Sequence, residues 1–166
     1  MKWLGIICLF LTCAGMGFYA ARMLRTRLVH TRKLSALLED FAAHIRYQCL
    51  PLEDLLTLFA EHPNYTGFSF LRQVSRDFSP GIPPRTLWKD AVSADAAVPP
   101  QAVGILCALG NVLGTTDMAG QLAAIDLHRR ELDGLAQELH TACEKKGELY
   151  RRLGVLLGAM LAILLI

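Results

Sequence analysis

Two apolar runs constrain this chain more than any other feature. Trp3 to Ala21 is an uncharged stretch of 19 residues, WLGIICLFLTCAGMGFYAA, and Leu153 to Ile166 is a second uncharged stretch of 14, LGVLLGAMLAILLI. At about 1.5 Å of rise per residue, a helix of the first length crosses about 30 Å of hydrocarbon. The second covers about 21 Å by the same arithmetic and crosses only with help from snorkelling Arg151 and Arg152 or a locally thinned bilayer. The pattern predicts a transmembrane helix at 1–21, a polar domain at 22–150 and a short transmembrane helix at 151–166. A buried terminal helix is the competing reading of the second run.

Charge gives the expected orientation. Arg22, Arg25, Arg27, Arg32 and Lys33 follow the first run, and Lys145, Lys146, Arg151 and Arg152 lead into the second, against Lys2 alone on the outer flank. Basic residues stay on the cytoplasmic side, so the central domain is expected in the cytoplasm with both ends in the cell membrane. An export signal also begins with a lysine and an apolar stretch, but here no clean small-x-small pair ends the run and the arginine cluster opposes translocation. The net charge of +2 is too small to point to nucleic acid, and attraction to anionic membrane lipid accounts for the basic flanks. The five cysteines include no CxxC pair, as expected of free thiols in a reducing compartment.

About 130 residues between the runs suffice for one domain with a core. Apolar residues recur there at steps of three and four, without strand-like alternation, so the fold class is all-α. A first helix carries the stripe Leu34, Leu38, Phe41 and Ile45 and continues out of the membrane segment. A second starts at Pro51 and buries Leu52, Leu55, Leu56 and Phe59 before the Pro63-Asn64 break. A third, near 67–78, turns Phe68, Leu71, Val74 and Phe78 inward and stops at the SPGIPP string of 79–84. A short fourth holds Leu87, Trp88, Ala91 and Val92, with Trp88 as a core anchor. A fifth starts at Pro99-Pro100 and carries Val103, Leu106, Leu109 and Leu113 to a stop at Gly114. The sixth follows Thr115-Thr116, either of which can cap it, with Asp117 in its first turn. Its seam runs Met118, Leu122, Ile125, Arg129, Leu132, Ala136, Leu139, Cys143, supported by the pairs Asp126 to Arg130 and Glu148 to Arg152. With no strong breaker before the closing apolar run, it reads as one rod. The architecture expected is a six-helix antiparallel bundle between an N-terminal and a C-terminal transmembrane helix.

The chain carries few signs of chemistry. His30, His44, His62, His128 and His140 make no HExxH and no nucleophile-base arrangement, and neither a GxxxxGK[ST] nor a GxGxxG phosphate loop is present. His140 and Cys143 share a helical face, but a histidine beside a small apolar thiol explains them better than a two-ligand metal site. No catalytic, cofactor-binding or metal-ligating residue is assigned. The most informative string is Leu109 to Gln121, LGNVLGTTDMAGQ. Gly110 allows close helix approach, Gly114 suits a left-handed C-terminal cap, and Asp117 suits the positive end of a helix dipole.

With the apolar ends, Ile45-x-Tyr47 followed by Leu50-Pro51-Leu52, the LGxxLGxxDxxGQ string of Leu109 to Gln121, and the tail after Tyr150-Arg151-Arg152-Leu153-Gly154-Val155, the chain resembles stage III sporulation protein AB over essentially its whole length. It is also similar, more distantly, to the cytoplasmic helical domains of the type II secretion inner-membrane platform protein. The first resemblance implies a membrane component of the secretion-like channel that joins mother cell and forespore in endospore formation, on the mother-cell side. It implies a stage III sporulation protein AA-like ATPase as partner, alongside the other membrane proteins of that assembly. The expected function is thus a non-enzymatic scaffold, with Gly114, Asp117, Gly120 and Gln121 as a candidate partner-contact turn; a motif that only shapes the helix junction explains these residues as well. A platform subunit of another secretion or pilus system, or a membrane-bound enzyme with an unrecognised site, are the alternatives.

Overall fold

Spacing of three and four between apolar residues makes helices of the buried segments, and prolines and glycines divide them. The computed structural model describes residues 2–48, 51–78 and 84–165, the side chains at 2–14, 17, 52, 84, 146–155 and 157–165 excepted. Among these residues the chain is all-helical, without strands: α1 (Lys2–Gln48), α2 (Leu52–Glu61), α3 (Ser69–Asp77), α4 (Pro84–Ala94), α5 (Pro100–Gly110) and α6 (Met118–Leu165). The long first and last helices, 47 and 48 residues, match the continuous rods expected from the absence of breakers. The chain divides into two compact units, Val29–Ala136 and Met1–Leu28 with Gln137–Ile166.

In Val29–Ala136 one apolar cluster draws on every helix. α1 contributes Leu34, Leu37, Leu38, Phe41 and Ile45, and α2 contributes Leu55, Leu56 and Phe59. Phe41 and Phe59 stack at a centroid separation of 4.6 Å. Pro51 sits at φ −58°, where its fixed ring angle and missing N–H suit a helix start, and its carbonyl accepts the Leu55 N–H at 3.1 Å. α3 buries Phe70, Leu71 and Val74; Phe68 is buried just ahead of the helix and Phe78 is half-buried after it. The helix is thus shorter than its expected range, and Phe70 joins the inward set because Phe68 takes the N-cap position instead of a helical one. From α4, Trp88, Ala91 and Val92 are buried, and from α5, Ala102, Leu106 and Leu109.

α1 and α6 run antiparallel in this unit. Ser35 of α1 donates to Asp133 of α6 at 2.5 Å, while Ala42 and Arg46, later in α1, share a groove with Leu122 and Ile125, earlier in α6. Of the seam expected along α6, Ile125, Leu132, Ala136 and Leu139 are buried and Leu122, Arg129 and Cys143 half-buried, but Met118 is 45% exposed. As the first helical residue, Met118 precedes the part of α6 that packs on the core.

In the other unit, Met16, Tyr19 and Met23 of α1 stand at steps of three and four and form an exposed apolar stripe. Phe18 beside it and Leu156 of α6 are exposed too. Among the described residues no helix is long and apolar enough to cross a membrane. Most side chains of Trp3–Ala21 and Leu153–Ile166, the Glu148 to Arg152 pair, Leu50, Leu52, Cys8, Cys13, Cys49 and the 79–83 turn lie outside the described side chains or residues.

Candidate functional site

The LGxxLGxxDxxGQ string divides into a buried half and an exposed half. Leu109 and Gly110 are buried at the end of α5, and a β-carbon at Gly110 would lie 2.2 Å from Trp88 Cδ1. Only glycine lets the two helices meet this closely. Trp88 is fixed in that position from three sides: its Nε1–H donates to the Leu106 carbonyl at 2.7 Å, Phe70 meets its ring edge-on at 5.4 Å, and Gly110 lies against Cδ1.

α5 ends at Gly110, four residues before the expected stop, and a hydrogen-bonded turn carries the chain on. Gly114 has φ 75°, the left-handed conformation that glycine adopts without strain, but it lies in the turn beyond α5 and is not the cap: Asn111 takes the C-cap position, at φ −72° and ψ −21°. The expected cap is corrected. Thr115 Oγ1 donates backwards, to the carbonyls of Val112 at 2.9 Å and Asn111 at 3.3 Å, and α6 begins only at Met118, so neither threonine caps it. Asp117 does: its Oδ1 accepts the Gly120 N–H at 3.1 Å and its carbonyl accepts the Gln121 N–H at 2.9 Å, which places it just outside the first turn. Gln121 Nε2 donates to the Thr116 carbonyl at 2.9 Å. A β-carbon at Gly120 would come within 2.8 Å of Asp117 Oδ1, so glycine there keeps the cap open. Asp117, Gly120 and Gln121 thus form one braced turn, with the left-handed Gly114 three residues before it; Gly114 and Asp117 are exposed.

Sequence reasoning missed a second braced loop, between α4 and α5. Asp95 is 8% exposed; Oδ2 accepts the Phe70 N–H in the first turn of α3 and Oδ1 accepts the Ala97 N–H, each at 2.9 Å. The Ala97 carbonyl in turn accepts a hydrogen bond from His30 Nδ1 of α1 at 2.6 Å. An aspartate bonding its backbone two residues on is a recognisable local turn, but its reach to α3 carries no sequence signature. Between α2 and α3, the Tyr65 hydroxyl donates to Asp40 Oδ2 of α1 at 2.5 Å. Burial, then the Asp40 carboxylate, pushes that hydroxyl well above the usual phenol range.

A groove of about 250 Å³ lies between α1 and α6, floored by Ala42, Leu122 and Ile125. Arg46 and Tyr47 stand on its α1 rim, Asp126 and Arg129 on its α6 rim. Arg129 is held by Asp126 at 3.3 Å and Asp133 at 3.1 Å, and Arg130 reaches Asp126 at 2.7 Å. Hydrogen bonds from Arg129, with Arg130 beside it, keep the Asp126 carboxyl below the usual carboxylate range.

His44 and His62 both pack against Phe59, at centroid separations of 5.2 and 6.1 Å. His44 Nδ1 donates to the Asp40 carbonyl at 2.8 Å, His128 Nδ1 to Glu131 at 2.8 Å, and His140 lies 3.7 Å from Glu144. No group of three or more His, Cys, Asp or Glu among the described residues could hold a metal ion.

No curated protein and no solved structure matches the chain. The profile of the family described as stage III sporulation protein AB matches residues 2–166. That match covers both halves of the LGxxLGxxDxxGQ string and both long helices, and the chain belongs to the stage III sporulation protein AB family.

Proposed function

We propose that the chain is a non-enzymatic membrane scaffold of the secretion-like assembly between mother cell and forespore, and that its helical domain receives the assembly's cytoplasmic ATPase. Family membership supports a role in stage III of sporulation. The observation that carries the finer reading is the braced turn: Gly114 and Asp117 are exposed, while the hydrogen bonds of Asp117, Gly120 and Gln121 hold one backbone shape. A polar loop made rigid in this way presents a defined face at little ordering cost. Membrane attachment by both ends is supported by the two uncharged runs, by the basic residues on their inner flanks, and by the exposed stripe of Met16, Tyr19 and Met23.

Charge reversal at Asp117 tests the contact. Asp117→Lys is expected to lose co-purification of the stage III sporulation protein AA-like ATPase while Tm falls by only a few degrees. Co-purification retained at wild-type level would remove the turn from the contact, and collapse of Tm would assign it to the helix junction alone. Thiol labelling of Cys107 in otherwise cysteine-free protein tests the topology: an impermeant reagent should leave it unmodified in intact mother cells.

A further inference from the structure

We draw no further inference here: the strongest candidate, the groove between α1 and α6 over Ala42, Leu122 and Ile125, is lined by Glu39 as well as Arg46 on its α1 side, so its charge selects no occupant and nothing in the structure shows what covers it.

Discussion

The two loops on either side of α5 solve the same problem in opposite ways. Each contains an aspartate whose side chain accepts a backbone N–H at the start of a helix. Asp95 is buried and caps α3, a helix 25 residues earlier in the chain; Asp117 is exposed and caps α6, which it immediately precedes. The Ala94–Pro99 loop is therefore tied to α3 through Asp95 and to α1 through His30 and Ala97, whereas the Gly114–Gln121 turn is tied to itself. Long-range bonds hold three elements in one arrangement. Local bonds fix only the shape of the loop that makes them, and leave its outer face free for another molecule.

Breaking each loop should expose that difference, and the largest effect of all is expected between them, where α5 packs on α4 through Gly110 and Trp88. Gly110→Ala puts a β-carbon into Trp88, whose ring cannot retreat without losing Leu106 and Phe70. Overpacking against a fixed ring costs about 3 kcal/mol. Chemical denaturation of the full chain should show this as a lowered midpoint, with loss of near-ultraviolet circular dichroism from Trp88. A neutral result would mean that α4 and α5 can separate freely, and that the buried half of the motif is not the part that ties down α5.

Asp95→Ala should come next. It leaves the buried Phe70 N–H and the half-buried Ala97 N–H without their acceptor, at about 2–3 kcal/mol. The consequence should not stay in the loop. Amide exchange at Phe70 in α3 should accelerate along with that at Ala97, and the His30 side chain in α1 should lose its fixed partner. Acceleration confined to 95–98 would make the two loops alike and remove the contrast.

How much of this was readable beforehand follows the same division between local and distant. The helices of 34–45 and 118–139 were legible from spacing, since each residue of the stripe reports on the same face. Gly110 and Gly114 were legible because only two physical reasons, close approach and a left-handed turn, commonly call for glycine at such positions. The cap was misassigned because Thr115, Thr116 and Asp117 are all good capping residues in a row, and what decides among them is where α6 begins: at Met118, with Asp117 accepting the Gly120 N–H while Thr115 bonds back to Val112. Asp95 was not legible at all. Its partner lies 25 residues away, and nothing in ADAAVPP marks which distant N–H group it will meet. The groove was invisible for a related reason: Arg46 lies off the Leu34–Ile45 stripe of its own helix, and a groove exists only when a second helix is laid beside it.

The smallest effect belongs to Asp117→Ala, and it sharpens the comparison most. Removing an exposed cap costs about 1 kcal/mol, because water can satisfy the Gly120 N–H that Asp117 leaves behind. Amide exchange should rise at Met118 to Gln121 and leave α3 and α1 as they were, the reverse of the spread expected from Asp95→Ala. Combining the two substitutions tests whether the loops act separately. They share no partner, so their free-energy costs should add to within about 0.5 kcal/mol. A clear departure from additivity would show that α5 transmits strain from one loop to the other, in which case a partner docking on the Gly114–Gln121 turn would also be felt at α3.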